Sequence, residues 1–408
     1  MTLESPFPIR GFDPVDTGPT RVQRQVSTTG MRVAIIHYWL VGMRGGEKVL
    51  EALLRMFPDA EIFTHVYQPD RVSPLIRSHK VHTTSISRLP MAPRFYQKYL
   101  TMMPRALEEI DLSGFDLVIS SEAGPAKGVI SPPDSVHVCY CHSPMRYLWD
   151  QYHVYRENAG FLTRRIMPRM AADLRAWDVV SAARVDGFAA NSRHVAQRIN
   201  KYWRRQADIV HPPVAVEDFS PVAGADRGGF YLWAGELAPY KRPDIAIEAF
   251  NRLKEPLIVI GGPTGTERAL AKTANDNIRF LGHMPFDKLK KYLACCKALI
   301  FPGEEDFGIL PVEAMASGRP VIAYGRGGAL DTVIDGETGL LFPDQSADGL
   351  VEAVERFERE RLEHLDPADL VKHARRFDET SFRAGIKRLL ASQGVSYEAP
   401  DDGDQITA

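Results

Sequence analysis

Residues 301–318 read Phe301-Pro-Gly-Glu-Glu-Asp-Phe-Gly-Ile-Leu-Pro-Val-Glu-Ala-Met-Ala-Ser-Gly318. The stretch predicts a strand that ends at Phe301, then an acidic loop, then one short helix. Pro311 is typical of a first helical turn, and Gly318 is typical of the residue just past a helix end. Strand, loop and helix in this order form the repeating unit of a parallel α/β sheet, where ligands bind beyond the carboxyl ends of the strands.

The loop and helix of this stretch carry groups that suit a nucleotide diphosphate. A helix N-terminus offers unpaired N–H groups and partial positive charge, and Gly308 lets the backbone come close to a ligand. Glu313, in the predicted first turn, can accept two hydrogen bonds from a ribose diol, and Glu305 can reach a sugar. The alternative is a solvated acidic loop at 304–306, with Glu313 as a helix-capping carboxylate.

Short apolar runs alternate with helical stretches along the whole chain. The runs lie at residues 32–36, 61–65, 116–120, 136–140, 187–190, 209–211, 230–234, 257–261, 278–281, 298–301, 320–323 and 339–342. Short strands that alternate with longer helices predict βαβ units and parallel sheets with helices on both faces. Because the pattern restarts near residue 228, we expect an α/β fold of two doubly wound, Rossmann-like domains that face each other across a cleft.

A chain of 408 residues is long for one hydrophobic core. Its polar ends, and the restart of the strand pattern near residue 228, divide it into six expected segments. The segments are a disordered leader (1–30), an N-terminal domain (31–212), a linker (213–229), a C-terminal ligand-binding domain (230–378), a helix that can pack back on the first domain (379–393), and a disordered tail (394–408).

The bulk composition excludes several classes of function. The chain has 50 Lys and Arg against 52 Asp and Glu, a formal net charge of -2. Because no overall positive field draws it to nucleic acid, no nucleic-acid partner is expected. No stretch approaches the ~18 apolar residues that cross a bilayer. The four cysteines lack C-x-x-C spacing, which favours a reduced, cytoplasmic protein.

A second candidate loop follows the predicted strand at 230–234 and reads Gly235-Glu-Leu-Ala-Pro-Tyr-Lys-Arg-Pro243. Lys241 and Arg242 lie at the start of the next predicted helix, where a cation is unfavourable by ~0.3–1 kcal/mol. This placement favours a ligand role over a solvated helix start. Gly262 and Met284 lie in loops after two further strands, and plain turn chemistry explains those loops equally well.

Gly45 and Gly46 lie where the first strand turns into a helix, and glycines at such a turn let a phosphate approach the backbone. The surrounding sequence, Gly42-Met-Arg-Gly-Gly-Glu-Lys48, is not G-x-G-x-x-G and lacks the acid of a dinucleotide site. A dehydrogenase is therefore a poor interpretation.

Two further residues follow strand ends in the first half. His142 comes just after the run at 136–140, and the alternative to a ligand contact is a histidine hydrogen-bonded within its loop. Arg193 can help to bind phosphate, although a helix N-cap at Asn191 or Ser192 explains this segment equally well.

Residues 71–105 contain seven Lys and Arg and no Asp or Glu, with Phe95, Tyr96 and Tyr99 among them. A basic, aromatic patch suits an anionic membrane surface, where each cation contributes ~1 kcal/mol. A basic helix that covers part of the core is an equally good explanation, and single-stranded nucleic acid has no other support.

The segment Glu305-x7-Glu313, within Glu-Asp-Phe-Gly-Ile-Leu-Pro-Val-Glu-Ala-Met-Ala-Ser-Gly, resembles the E-x7-E signature of family 4 glycosyltransferases, and the resemblance extends over residues 31–390. It implies the GT-B fold and retaining transfer from a nucleotide-sugar donor, with the first domain on the acceptor side. By this resemblance Glu305 contacts the donor sugar and Glu313 holds the ribose. The backbone near the phosphates is implied to come from Phe307, Gly308, Ile309 and Leu310.

The same resemblance covers the loop at 235–241, where the family reads G-R-L-x-x-x-K and its Arg and Lys neutralise the leaving diphosphate. Lys241 matches, but Glu236 replaces the Arg. A carboxylate beside a diphosphate would repel it, so we expect Glu236 to turn away and Arg242 to supply the second cation.

The remaining assignments from the resemblance concern loops on both sides of the cleft. His142 is implied to face the donor sugar, which makes His142, Lys241 and Glu305 the expected catalytic residues. The donor is further implied to lie near Gly45, Gly46, Gly262 and Met284.

The stretches 142–150 and 240–244 look like those of bacterial GDP-mannose-dependent mannosyltransferases that build surface polysaccharides on a lipid carrier. We therefore expect mannose transfer from GDP-mannose to a lipid-linked glycan at the cytoplasmic face of the inner membrane, with rhamnose, glucose and N-acetylglucosamine donors open. No D-x-D follows a strand in the folded region, so neither a metal nor another cofactor is expected. The alternatives are a nucleotide-sugar epimerase and a catalytically silent partner in a polysaccharide complex.

Overall fold

The computed structural model describes residues 26–27, 30–223, 228–262 and 264–397. Its strands are β1 (Val26–Ser27), β2 (Val33–His37), β3 (Glu61–Thr64), β4 (Val81–Thr83), β5 (Leu117–Glu122), β6 (Val136–Cys141), β7 (Gly187–Ala190), β8 (Asp208–Ile209), β9 (Tyr231–Ala234), β10 (Leu257–Ile260), β11 (Ile278–Phe280), β12 (Leu299–Phe301), β13 (Val321–Tyr324), β14 (Gly339–Phe342) and β15 (Val395–Ser396).

The α-helices lie between these strands. They are α1 (Gly45–Met56), α2 (Pro74–Ser78), α3 (Ala92–Phe95), α4 (Met103–Glu108), α5 (Tyr152–Glu157), α6 (Phe161–Ala183), α7 (Arg193–Trp203), α8 (Pro243–Leu253), α9 (Thr264–Ala271), α10 (Phe286–Cys295), α11 (Ile309–Ala316), α12 (Ala329–Thr332), α13 (Ala347–Arg359), α14 (Pro367–Ala374) and α15 (Glu379–Ser392). None of the described helices is long and apolar enough to cross a membrane.

Seven parallel strands form the first sheet, in the order β4-β3-β2-β5-β6-β7-β8. All five residues of the inner strand β2 are buried, because helices cover both faces of a parallel sheet whose strands need crossover connections. The strand order reverses between β2 and β5. The loops after these two strands therefore diverge and leave a crevice at the carboxyl edge.

Six parallel strands form the second sheet, in the order β11-β10-β9-β12-β13-β14. This is the doubly wound 3-2-1-4-5-6 order, with its reversal between β9 and β12. The loops after β9 and β12 are those predicted to bind the ligand. The predicted α/β fold of two doubly wound, parallel-sheet domains is confirmed.

Helix α15 returns from the second domain to the first. Phe382, Ile386 and Leu389 are buried in the core of the first domain, and Arg55 of α1 forms an ion pair of 2.6 Å with Glu379. The end of the chain thus ties the two domains together by apolar burial.

The segment expected to be a disordered tail from residue 394 is ordered at its start, so that expectation is wrong there. Strand β15 pairs in parallel with β1, which also corrects the expected leader at residues 26–27. Val395 is buried, with 2% of its surface exposed, and the Tyr397 hydroxyl donates to the Met56 carbonyl at 2.9 Å. Packing of these two side chains on the core fixes the segment. Residues 1–25, 28–29 and 398–408 of the expected leader and tail lie outside the described residues.

The expected linker at 213–229 begins within the second domain. Val214, Val216 and Phe219 are buried in that domain's core, and the Val214 N–H donates to the Phe377 carbonyl at 2.9 Å. These apolar side chains attach the first part of the linker to the second domain, and residues 224–227 lie outside the described part.

The basic segment at 71–105 is a series of short helices and includes strand β4, which the apolar pattern did not predict. It does not form one basic helix because prolines recur along it and interrupt helical hydrogen bonding. Ile86, Ala92 and Met103 are buried, whereas Met91 and Met102 are 56% and 48% exposed. The segment thus has both a core-facing and an exposed apolar side.

Candidate active site

The loops that follow β9 and β12 meet where the strand order of the second sheet reverses. Lys241 Nζ donates a hydrogen bond to Glu305 Oε1 at 2.5 Å. A Cβ at Gly303 would lie 2.7 Å from Lys241 Cα, so the glycine permits this approach. The side chains of the pair are 18% and 20% exposed, which leaves them accessible to a ligand from one side.

Lys241 carries its positive charge at neutral pH. Burial lowers the pKa of Lys241, but the negative charges of Glu305 and, more weakly, Glu236 raise it by more, so the pKa is raised overall. Glu236 itself is exposed. A fixed cation at this loop can stabilise charge that develops on a leaving diphosphate.

Arg242 does not join this pair in the structure. Its Nε and Nη2 donate to Asp244 at 3.0 and 2.8 Å, and its backbone is left-handed, with φ of 52°. The prediction that Arg242 supplies a second cation therefore lacks the geometry it needs, because a carboxylate two residues away already binds the guanidinium.

The glycine-rich turn of the first domain meets the start of α11 in the second. A Cβ at Gly45 would lie 3.0 Å from Ile309 Cδ1, and one at Gly46 would lie 2.0 Å from the Tyr38 hydroxyl oxygen. Any side chain at position 46 would require the Tyr38 ring to move. The first N–H groups of α11 have no partner within the helix, so this contact places those N–H groups next to the glycine turn of the first domain.

The loop before α11 is held by its aromatic side chain. Phe307 is buried, with its ring 5.4 Å from that of His211, and Gly308 turns the chain into the helix with φ of 85°. Because the Phe307 ring lies in the core, only the backbone here is available to a ligand. Leu310 is partly buried beside it.

Glu313 is the fifth residue of α11, so its predicted place in the first turn is wrong. The helix begins at Ile309, earlier than the position of Pro311 suggests. Burial raises the pKa of Glu313 to about 7. No ion pair or side-chain hydrogen bond holds its carboxylate within the described part of the chain, so the group is free to accept hydrogen bonds from a ligand.

His142 follows β6 at the carboxyl edge of the first sheet. Its Nε2 lies 2.9 Å from Ser121 Oγ, and its ring makes an edge contact of 5.0 Å with Tyr140. Burial lowers the pKa of His142 to about 3. The imidazole is therefore neutral at physiological pH.

Arg198 joins the loop after β6 to the acidic loop after β12. Its Nη1 donates to Asp306 Oδ1 at 2.7 Å and to Ser143 Oγ at 2.9 Å, and its Nη2 donates to Asp150 Oδ1 at 2.7 Å. The guanidinium side chain is only 7% exposed. Because Ser143 follows His142 and Asp306 follows Glu305, Arg198 sets the spacing of these candidate loops.

We expect Arg198→Met to lower the free energy of unfolding by about 3 kcal/mol, because it leaves Asp306 without its buried partner and Asp150 with Arg146 alone. The control is Arg252→Met, which removes an arginine that is 48% exposed and whose partners Glu248 and Asp348 are 61% and 78% exposed; its cost should stay under about 1 kcal/mol. Urea denaturation of both variants gives the comparison. Equal losses would show that Arg198 has no special place in the interface.

The three weaker candidates have structural partners. Arg193 pairs with Asp331 of the second domain and donates to the Leu330 carbonyl at 2.7 Å. The Gly262 carbonyl accepts from the Leu237 N–H at 2.7 Å, and Met284 packs against the core of the second domain. In the part of the chain that the structure describes, Arg193 forms no hydrogen bond or ion pair with Lys241 or Glu305.

Sequence reasoning missed four side chains beside the site: His37, Glu47, Ser121 and Arg198. His37 and Ser121 lie at or beside the ends of their strands, and this position was the available signal. Glu47 and Arg198 lie within helices and gave no local signal. In the described part of the chain, no group of three or more His, Cys, Asp or Glu side chains can hold a metal ion.

Solved structures with the same architecture cover nearly the whole chain. Sucrose-phosphate synthase from Thermosynechococcus elongatus matches with a TM-score of 0.66 and 18% identity, over 89% of this chain and 99% of that one. The Anabaena protein HepE in complex with UDP and glucose matches with a TM-score of 0.63 and 16% identity, over 89% of this chain and 100% of that one. These likenesses establish the GT-B fold.

Among curated proteins, the chain is similar to enzymes named D-inositol 3-phosphate glycosyltransferase. The Streptomyces bingchenggensis protein is 33% identical over 197 residues, which cover 40% of this chain and 43% of that protein. The Corynebacterium glutamicum protein is 31% identical over 255 residues, 52% of this chain and 60% of that protein. The chain thus spans about half the length of the curated relatives it matches.

Two family models match the chain in succession. The model for Glycosyltransferase Family 4 matches residues 43–218, and the model for Glycosyl transferases group 1 matches residues 217–379. The first contains Gly45, Gly46 and His142, and the second contains the Lys241–Glu305 pair and Glu313. Residues 43–218 are therefore similar to family 4 glycosyltransferase domains, and residues 217–379 are similar to group 1 glycosyl transferase domains.

Proposed function

We propose that this chain is a retaining glycosyltransferase whose donor is a nucleotide-sugar, with GDP-mannose favoured, and whose acceptor is a lipid-linked oligosaccharide or polysaccharide precursor. The observation that carries the proposal is the Lys241–Glu305 pair, 2.5 Å apart, at the reversal point of the second sheet. Glu305 lies in the loop that leads into α11, and the start of α11 contacts the turn that contains Gly45.

Each group has a proposed role in transfer. The diphosphate leaves toward Lys241 and the N-terminus of α11, which stabilise the charge without reorganising. Glu305 and His142 hold the sugar as positive charge grows at its anomeric carbon. The acceptor hydroxyl attacks from the face that the diphosphate leaves, and a phosphate oxygen takes its proton. Arg242 has no part in this scheme, since Asp244 binds it.

The choice of mannose rests on sequence stretches alone. The relatives reported above carry the name D-inositol 3-phosphate glycosyltransferase, and the Anabaena structure holds UDP with glucose. UDP-sugars and inositol phosphates therefore belong in the same test as GDP-mannose and lipid-linked glycans.

Radiolabelled GDP-mannose, UDP-glucose and UDP-N-acetylglucosamine, each with a lipid-linked glycan or inositol 3-phosphate, test the proposal. We expect label to move from one donor to one acceptor, with the anomeric configuration of the donor retained. An epimerised nucleotide-sugar without transfer would instead identify an epimerase. Tight nucleotide binding with no product from any pair would identify a catalytically silent partner.

We also propose that the first domain binds an anionic membrane through residues 71–105. Lys80 and Arg105 pair with Glu61 and Glu109. The other cations of the segment have no carboxylate partner within the described part of the chain: Arg71, Arg77, Arg88, Arg94 and Lys98.

The neighbouring helix α6 supports this membrane proposal. Phe161 and Leu162 at its start are 83% and 70% exposed, and Arg165 and Arg169 line a groove shared with Thr101 of the basic segment. Exposed apolar side chains among cations are the pattern that binds anionic lipid surfaces.

Replacing two of the unpaired cations tests the membrane proposal. Arg94→Gln/Lys98→Gln should weaken binding to phosphatidylglycerol vesicles about 30-fold, since each cation contributes about 1 kcal/mol. The control is Lys272→Gln/Lys291→Gln, which removes two exposed cations of the second domain and should change little. Vesicle flotation measures both, and equal losses, or equal binding to neutral vesicles, would refute the membrane role.

A further inference from the structure

Three buried polar side chains lie in a line behind His142, and the proposed chemistry does not use them. Glu47 Oε1 lies 3.7 Å from His37 Nε2, His37 Nδ1 lies 3.1 Å from Ser121 Oγ, and Ser121 Oγ lies 2.9 Å from His142 Nε2. We call Glu47, His37 and Ser121 the relay.

The backbone fixes the relay in place. His37 of β2 lies directly opposite Ser121 of β5 in the sheet register, and the exposed fractions of Glu47, His37 and Ser121 are 2%, 1% and 0%. The second carboxylate oxygen of Glu47 accepts from the Arg44 N–H at 2.8 Å. Every member is thus held by a strand or a helix start, next to the turn that contains Gly45 and Gly46.

The chemistry of each group assigns the hydrogens along the line. Burial raises the pKa of Glu47, but its interaction with His37 and with the backbone N–H of Arg44 lowers it by more, so the carboxyl group is ionised. An ionised carboxylate attracts an N–H group and repels a nitrogen lone pair, so the charge of Glu47, 3.7 Å away, favours the tautomer of His37 with its hydrogen on Nε2. In neutral His37 the other nitrogen, Nδ1, then accepts from the Ser121 hydroxyl.

The same assignment continues to His142. With its hydrogen donated to His37, Ser121 Oγ accepts the next hydrogen bond, so Nε2 of His142 must be the donor. A neutral imidazole carries one hydrogen, which leaves a lone pair on His142 Nδ1.

We infer that the relay is a positioning device that holds His142 as the Nε2–H tautomer, so that Nδ1 accepts a hydrogen bond from a hydroxyl of the bound sugar. The inference rests on the proposed function, in which His142 faces the donor sugar. It gives His142 the role of orienting the sugar as an acceptor, and it excludes His142 as the proton donor to the leaving group. Glu47, His37 and Ser121 touch His142 or each other and are positioning residues.

The opposite tautomer requires a different protonation state of the relay. If His37 carried both hydrogens, Ser121 would accept from His37 and donate to His142 Nε2. His142 would then hold its hydrogen on Nδ1 and would present a donor to the sugar. The two states give different nitrogen signals, so a measurement can separate them.

Long-range ¹H–¹⁵N spectra of the full chain labelled with [¹⁵N]histidine test the inference. The His142 signals are assigned by their loss in His142→Gln. We expect hydrogen on Nε2 and a lone pair on Nδ1 in the unchanged protein, and a mixture of both tautomers in Ser121→Ala. The same variant should lower kcat about tenfold, the effect of losing one oriented hydrogen bond, with donor KM changed less than threefold.

Ser120→Ala is the matched control. Ser120 is the adjacent buried serine of β5, and its Oγ lies 2.9 Å from Nε2 of a different histidine, His137. This variant should leave the tautomer of His142 unchanged. Glu47→Gln provides a second relay variant should Ser121→Ala fold poorly, and it should also mix the tautomers because a carboxamide can donate as well as accept.

A hydrogen on His142 Nδ1 in the unchanged protein would overturn the inference, as would identical tautomers in the unchanged protein, Ser121→Ala and Glu47→Gln. The spectra report these tautomers whether or not the protein transfers sugar. A chain that has the expected tautomers but transfers no sugar would refute the proposed function and leave the relay standing.

Discussion

Replacing Lys241 by methionine is expected to lower kcat for sugar transfer about 10²- to 10³-fold. The Lys241 ammonium group is hydrogen-bonded to Glu305. Removing one fixed group that stabilises charge in the transition state lowers kcat by about this factor. The KM of the donor should change less than kcat, because the charge grows on the diphosphate mainly in the transition state. Steady-state kinetics with the donor identified in the radiolabel panel measures both constants.

The adjacent cation is the control for this result. Arg242→Gln removes a guanidinium bound to Asp244 and should change kcat by less than about threefold, the effect of a surface ion pair. Equal losses of kcat in Lys241→Met and Arg242→Gln would show that Arg242 also acts as a cation at the diphosphate. The Arg242–Asp244 geometry would then be that of an unproductive state.

Replacing Glu313 by alanine should weaken nucleotide binding at least tenfold. Burial raises the pKa of the Glu313 carboxyl group to about 7, and a ribose diol would donate two hydrogen bonds to its ionised form. Hydrogen bonds to a charged group contribute about 1.5–3 kcal/mol each. Titration calorimetry with GDP and UDP measures the loss, and an unchanged affinity would remove the ribose assignment.

The same residue predicts how nucleotide binding depends on pH. A ligand that prefers the ionised carboxylate lowers the pKa of Glu313 on binding, so a proton is released at any pH where Glu313 is protonated before binding. Affinity should therefore rise between pH 5 and pH 7, by up to about tenfold per pH unit, and level off above pH 7. Because the phosphate of the nucleotide also titrates near pH 6, the measured quantity is the difference between the unchanged protein and Glu313→Ala.

The architecture was predictable because its signals are local. Short apolar runs with intervening helices specify parallel sheets. Eleven of the twelve predicted runs overlap strands of at least three residues. The exception is the run at 209–211, where β8 covers only Asp208–Ile209. Strand β4 was missed because its three residues are half-buried or exposed and have no apolar run. The pairing of β1 with β15 was missed because it joins the two ends of the described chain, and no local pattern encodes such a contact.

The sequence alone determined the two-domain α/β fold, the loops that carry the site, and the identity of Lys241, Glu305 and Glu313 as candidates. Only the tertiary structure decided which groups come together. Lys241 contacts Glu305, which is 64 positions away in the chain, and Arg198 contacts Asp306, which is 108 positions away. Local order follows from periodicity and turn chemistry, which short segments contain, whereas the partner of a charged side chain depends on strand order and domain contact, which bring together residues far apart in the chain.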